Sequence, residues 1–203
     1  MSHKEHGDPN ERLVLFSDAV IAITITLLVL EIKLPEGFGA FDDAQLWDAL
    51  VELGPRFLAY LISFAVIGIY WLNHNAKFAE IVKSSRGLQV TNLVFLLFIG
   101  VMPFTTSLIA ENGGSLSTAI YAAGMMCSGL SLMWLWAHAD RHGMVDPALP
   151  RGRRRHLLMT TLVPSAVFAL SIPLAFFDAD LAKFFWIAIV PANFVSRRFV
   201  RTA

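Results

Sequence analysis

Cysteine occurs once in the 203 residues, at Cys127, so the chain forms no intrachain disulfide and offers no thiolate cluster to a metal. Charge is scarce: 16% of residues are charged, against about 25% in a soluble domain. Lys and Arg total 16, as do Asp and Glu, a neutrality that suggests neither nucleic acid nor an acidic substrate as a partner. Nucleophile elbow, H-E-x-x-H pair and phosphate loop are all missing. His138, His142 and His156 lack metal-ligand spacing. Internal repeats and low-complexity tracts are missing too. An enzyme is disfavoured for want of a nucleophile–base pair, and no cofactor is expected.

What the chain does have is apolar length. Hydrophobic residues make up 56% of it, and the mean hydropathy is +0.59. A membrane-spanning helix needs about 20 mostly apolar residues. Six segments qualify, near 12–34, 52–73, 88–109, 115–137, 156–177 and 181–199. The expected fold is an all-α membrane protein, residues 1–203 forming a single six-helix transmembrane domain. Residues 44–50 allow the second helix to begin early. The first run is too long for a signal-peptide core and no A-x-A-like site follows it, so it reads as the first span. Pro55, Pro103, Pro164, Pro173 and Pro191 fall within spans, where neighbouring helices re-satisfy the carbonyls that proline frees.

Basic residues set the orientation. With six spans, Lys4 and Arg12, then Lys77, Lys83 and Arg86, then Arg141, Arg151, Arg153, Arg154 and Arg155, then Arg197, Arg198 and Arg201 share one side. These are 13 of the 16 basic residues. The other side keeps Lys33, Arg56 and Lys183 and is rich in Asp and Glu. Both termini are therefore expected in the cytoplasm.

The first span holds the residues least at home in a membrane. Asp18 lies about 9 Å along the axis from Arg12, and a carboxylate that deep costs roughly 2.5–3.5 kcal/mol on insertion scales. Such a group needs a partner and is a candidate functional site. Donors at a similar depth are Tyr70, Trp71, Asn73 and His74 at the end of the second span, with Thr91 and Asn92 in the third. Ser17, Asp18, His74 and Asn92 read either as interhelical glue or as a network that also controls gating or assembly. At 3.6 residues per turn Phe16, Ala19, Ile23, Leu27, Leu30 and Leu34 form one stripe, bordered by Thr26. Asp18 points roughly 140° away from Ile23. The stripe is open to lipid, another helix or a pore.

Weaker signals complete the survey. Glu31 at the outer end reads as a cation attractor or as a solvated partner of Lys33. Ala122, Gly124, Ser128 and Gly129 allow close helix packing. The Arg151–Arg155 cluster reads as part of the orientation signal or as a contact for anionic lipid heads.

The run Arg12-x-x-x-Phe16-Ser17-Asp18-Ala-Val-x-Ala-Ile23-x-x-Thr26-Leu27-Leu-Val-Leu30 closely resembles the signature of the transmembrane protein 175 family, potassium channels of endolysosomes and bacteria. Ser63-Phe64…Tyr70-Trp71-x-x-His74 and Asn92-Leu93…Met102-Pro103-Phe104-x-Thr106 are similar too. The resemblance covers the first three spans by motif and the last three by number, length and topology. It implies a homotetramer with the first helix lining the pore, in a prokaryotic plasma membrane. It places the constriction five residues after the Asp, at Ile23, followed by Thr26, Leu27 and Leu30. Arg12, Phe16, Ser17, Asp18, Trp71, His74 and Asn92 are then the gating or assembly network. No Thr-Val-Gly-Tyr-Gly filter is present, so narrow aliphatic rings would favour potassium over other monovalent cations by ease of dehydration. A proton-coupled secondary transporter relaying through Asp18 and His74, and a non-conducting membrane scaffold, are the competing readings.

Overall fold

The computed structural model describes residues 10–33, 39 and 41–186. The expected span at 181–199 therefore lies mostly outside the described residues, as do Lys4, Leu34, Pro191, Arg197, Arg198 and Arg201. The described chain runs α1 (Glu11–Leu27), a 3₁₀ turn (Leu28–Glu31), α2 (Asp43–Glu52), α3 (Gly54–Phe78), α4 (Arg86–Gly100), α5 (Met102–Glu111), α6 (Ser115–Arg141), α7 (Arg151–Phe177) and α8 (Ala179–Phe185). Among the described residues five helical segments are long and apolar enough to cross a membrane: α1 with its 3₁₀ turn, α3, α4 with α5, α6 and α7.

Local chemistry explains the punctuation. Residues 44–50 do not extend α3 but belong to the separate α2. Asp42 and Gln45 close a reciprocal capping box at its start. The boundary falls at Leu53, because Pro55 sits in the first turn of α3 and has no N–H for a continuing helix. Pro103 likewise divides the third span into α4 and α5. Ser85 caps α4 by accepting from the Leu88 N–H at 3.1 Å.

The helix ends segregate by sequence position. At one end the Asn10 amide donates to the Ile81 carbonyl at 2.9 Å. Ile81 pairs with Val145 in an antiparallel bridge, and Arg153 reaches Glu80 at 3.4 Å. At the other end Arg56 donates to the Lys33 carbonyl at 3.0 Å and Lys183 to the Gly113 carbonyl at 2.7 Å. Nine of the expected basic-side residues lie among the described ones, between Arg12 and Arg155.

Lys77 departs from the expectation of a loop residue. Residues after 73 keep helical periodicity with no breaker, so α3 continues to Phe78 and carries Lys77 into the bundle. Its ammonium, fully buried, donates to the Leu157 carbonyl of α7 at 2.5 Å and to Thr160 Oγ1 at 3.4 Å.

α6 is the axis of the protomer: 56% of its most apolar stretch is buried, against 22% for α1. It packs on α4, α5 and, most extensively, α7. Gly129 permits that last approach, since a Cβ there would overlap the Ser165 hydroxyl and touch Tyr70. Gly100 faces open space. Gly129→Ala is expected to destabilise the detergent-solubilised protein by about 1–3 kcal/mol, and Gly100→Ala to leave it unchanged. Thermal unfolding followed by tryptophan fluorescence checks both.

Candidate functional site

α1 sorts its side chains by face. Ser17, Ile21, Thr24 and Leu28 are buried in the protomer, a spacing of four, three and four residues that forms one helical stripe. Thr24 turns its hydroxyl onto the Val20 carbonyl at 2.9 Å, which satisfies it without another helix. The opposite stripe is exposed: Phe16 at 50%, Ile23 at 59%, Leu27 at 43% and Leu30 at 67%. Thr26, exposed beside them, donates to the Ile23 carbonyl at 2.8 Å. Beyond Leu27 the backbone tightens to the 3₁₀ turn. At three residues per turn, side chains three apart eclipse, so Leu30 stands in line with Leu27 instead of drifting off the stripe.

Three helices meet at the inner stripe. His74 Nε2 lies 2.9 Å from Asn92 Oδ1, and Asn92 Nδ2 donates to Ser17 Oγ at 2.8 Å. Ser17 in turn donates to the Leu13 carbonyl at 2.8 Å. A carbonyl oxygen only accepts. With the Asn92 amide committed to Ser17, its oxygen faces His74, whose Nε2 must carry the proton. The chain of donation therefore runs one way, from α3 through α4 to the backbone of α1. His74, Asn92 and Ser17 are all fully buried. The His74 ring stacks on Phe95, with centroids 5.4 Å apart, and lies over Phe78 at 4.4 Å.

Asp18 stands beside this chain but outside it. Its Oδ1 accepts from Trp71 Nε1 at 2.8 Å, on a half-exposed face. The other donors expected at its depth are engaged elsewhere: Tyr70 with the Met125 carbonyl at 2.7 Å, Asn73 with the Ile69 carbonyl, Thr91 with the Leu88 carbonyl. No hydrogen bond among those described joins Asp18 to His74. Arg12 is exposed and makes no ion pair among the described residues. The structure thus separates the expected network into a buried His74–Asn92–Ser17 chain, a peripheral Asp18–Trp71 pair, and exposed Arg12 and Phe16.

A second chain of hydroxyls was not foreseen as a unit. Tyr121 OH lies 3.0 Å from Ser63 Oγ, which lies 2.9 Å from Thr106 Oγ1, itself 2.8 Å from the Met102 carbonyl. Thr106 Oγ1 is placed to donate both to the Met102 carbonyl and to Ser63 Oγ, and since a hydroxyl carries one proton the two acceptors share it. Ser63 and His74 are about 16 Å apart along α3, so the two chains occupy separate layers, one on each side of the α4–α5 break. Ser63 and Thr106 sit within motifs legible in the sequence, whereas Tyr121, 58 residues from Ser63, carries no local signal.

These layers lie mostly in the stretch that known proteins share. Residues 12–103 match the family model described as endosomal/lysosomal potassium channel TMEM175. Over 176 residues the chain is 35% identical to a protein of Streptomyces collinus named a potassium channel, which covers 84% of each chain. The chain belongs to the TMEM175 family. A TMEM175 of Gallus gallus, named an endosomal/lysosomal proton channel, is 30% identical over 94% of this chain but only 42% of its own length. A crystal structure titled a lysosomal potassium-selective channel TMEM175 homolog, from Chamaesiphon minutus, superposes with a TM-score of 0.76 at 28% identity, covering 91% of this chain and 96% of that one. Every candidate site residue of this TMEM175 family member, from Arg12 to Asn92, falls inside the matched stretch.

Replacing Asn92 by Leu strands two buried polar partners, Ser17 and His74, and is expected to cost about 1–3 kcal/mol. Trp71→Phe removes one half-exposed hydrogen bond and should cost less than about 1 kcal/mol. Denaturant titration of the purified protein ranks them, and an equal or inverted ranking would mean that the buried chain does not hold α1.

Proposed function

We propose that this TMEM175 family member is the subunit of a homotetrameric, potassium-preferring cation channel with a hydrophobic constriction in place of a carbonyl filter. The observation that carries the reading is the 35% identity, across 84% of both chains, to a bacterial protein named a potassium channel. The exposed α1 stripe supplies the geometry. Four copies that bring these stripes to a common axis form rings of Ile23, Leu27 and Leu30, with the Thr26 hydroxyls between them. Ile23, branched at Cβ, has few rotamers and offers an ion no oxygen. An ion crossing that ring sheds part of its hydration shell, and sodium loses more by this than potassium. In the same reading the His74–Asn92–Ser17 chain fixes the rotation of α1, and Asp18, Trp71, Phe16 and Arg12 work at gating or assembly. The chain spans the membrane six times, in the plasma membrane of a prokaryote, with both termini in the cytoplasm.

Proton conduction is the second reading, favoured by the vertebrate relatives named proton channels. Reversal potentials under a pH gradient and under a potassium/sodium gradient separate the two.

Two experiments test the main proposal. In planar bilayers Ile23→Asn is expected to shift the potassium/sodium reversal potential towards zero with the tetramer intact, and Leu30→Asn to alter conductance with a smaller shift. An unchanged reversal potential in Ile23→Asn moves the selectivity step elsewhere, with Thr26 next to test. For topology, in a Cys127→Ser background, cysteines at Asp43 and Asp178 should react with an impermeant thiol reagent applied to intact cells, and one at Arg153 should not. Labelling at 153 overturns the orientation.

A further inference from the structure

At the basic end of the bundle a cleft of about 390 Å³ opens between the last turns of α6 and the first turns of α7. Its floor is apolar, formed by Trp136, Ala137 and Leu158, and its rim carries Arg141, Arg151, Arg154 and Arg155 with Asp140. Two of these charges are already matched. Arg154 Nη1 pairs with Asp140 at 2.5 Å, its Nη2 donates to the Asp146 carbonyl at 2.8 Å, and its Nε donates to the Leu149 carbonyl at 3.2 Å. The Arg154 carbonyl receives the Trp136 indole at 3.2 Å. Arg154 is therefore the keystone that shapes the cleft. Arg141, Arg151 and Arg155 remain exposed, with no ion pair or hydrogen bond among the described residues. Arg153, in the same basic run, reaches Glu80 instead and does not line the cleft.

We propose that this cleft binds the phosphate headgroup of an anionic phospholipid from the leaflet at the basic end. Three unpaired guanidiniums match phosphate oxygens in geometry and charge. The floor distinguishes a lipid from a soluble phosphate: Ala137 and Leu158, both partly exposed, offer an acyl chain apolar surface directly beneath the rim, while Trp136 is buried behind them. Depth agrees. α6 has 27 residues, a length of about 40 Å, against a hydrocarbon core of about 30 Å, so its last turns project to headgroup level. The cleft is lined by residues of α6 and α7 alone, and none of the exposed α1 residues from Phe16 to Leu30 is among them. The inference does not depend on what, if anything, the protein conducts.

The test uses the full-length protein in detergent. Native mass spectrometry counts retained lipid after titration with phosphatidylglycerol, phosphatidylcholine or inorganic phosphate. Phosphatidylglycerol is expected to be retained and phosphatidylcholine lost. An interfacial arginine contributes about fivefold to affinity for an anionic surface, so R141Q/R151Q/R155Q combined should weaken phosphatidylglycerol binding about a hundredfold, and Arg153→Gln should leave it unchanged. On the unaltered protein, phosphatidylglycerol with a photoreactive acyl chain should crosslink to peptides containing Ala137 or Leu158, a result that needs no variant to fold. Equal retention of phosphatidylcholine, displacement of the lipid by inorganic phosphate, crosslinks only elsewhere, or wild-type affinity in the triple variant would each overturn the proposal.

Discussion

A polar side chain inside a hydrocarbon layer has no water to fall back on, and its partner has to come from the protein. α1 brings Ser17 and Thr24 into the layer on one stripe and bulky aliphatics on the other. Thr24 satisfies itself on its own backbone. Ser17 also receives the Asn92 amide, which is fixed in turn by His74. Because that chain runs in one direction of donation, α1 cannot rotate about its axis without leaving a buried donor or acceptor empty. Interhelical hydrogen bonds in membranes contribute only about 0.6 kcal/mol on average, so the chain supplies orientation more than stability. The outward stripe from Phe16 to Leu30 is a consequence of where Ser17 is held.

The protomer repeats the device at a second level. Tyr121, Ser63 and Thr106 tie α6, α3 and α5 in one layer, as His74, Asn92 and Ser17 tie α3, α4 and α1 in the other. Both chains end on a main-chain carbonyl, an acceptor that no protonation or rotamer change removes. Pro103 divides the span between them, so each half of the third span is clasped by its own set of partners. α3 takes part in both, and its outer face presents Phe64 and Trp71 while Ser63, Tyr70 and His74 point inward.

Much of this was legible before any coordinates. Helix positions follow from apolar length, because a membrane leaves few other ways to bury twenty such residues. Helical phase alone separated Asp18 from Ile23. Three features resisted the same reasoning, each for a physical reason. Lys77 looked like a loop residue because a lysine near the end of a span ordinarily marks the water boundary, and only the approach of α7 supplies its carbonyl. The partner of Asp18 was narrowed to a group of nearby donors but not to Trp71, because phase and depth are too coarse to choose between adjacent positions on α3. The alignment of Leu27 with Leu30 depends on a change of helical winding that no residue type in Leu28–Glu31 announces.

The face allocation of α1 also bears on how such a chain can change over generations. Phe16, Ile23, Leu27 and Leu30 touch little of their own protomer, so replacing them removes few contacts on which its folding relies. The residues that hold α1 in register are different ones, on the other side of the same helix. A lineage can therefore vary the chemistry of the outward stripe one side chain at a time while the fold of the single chain stays intact.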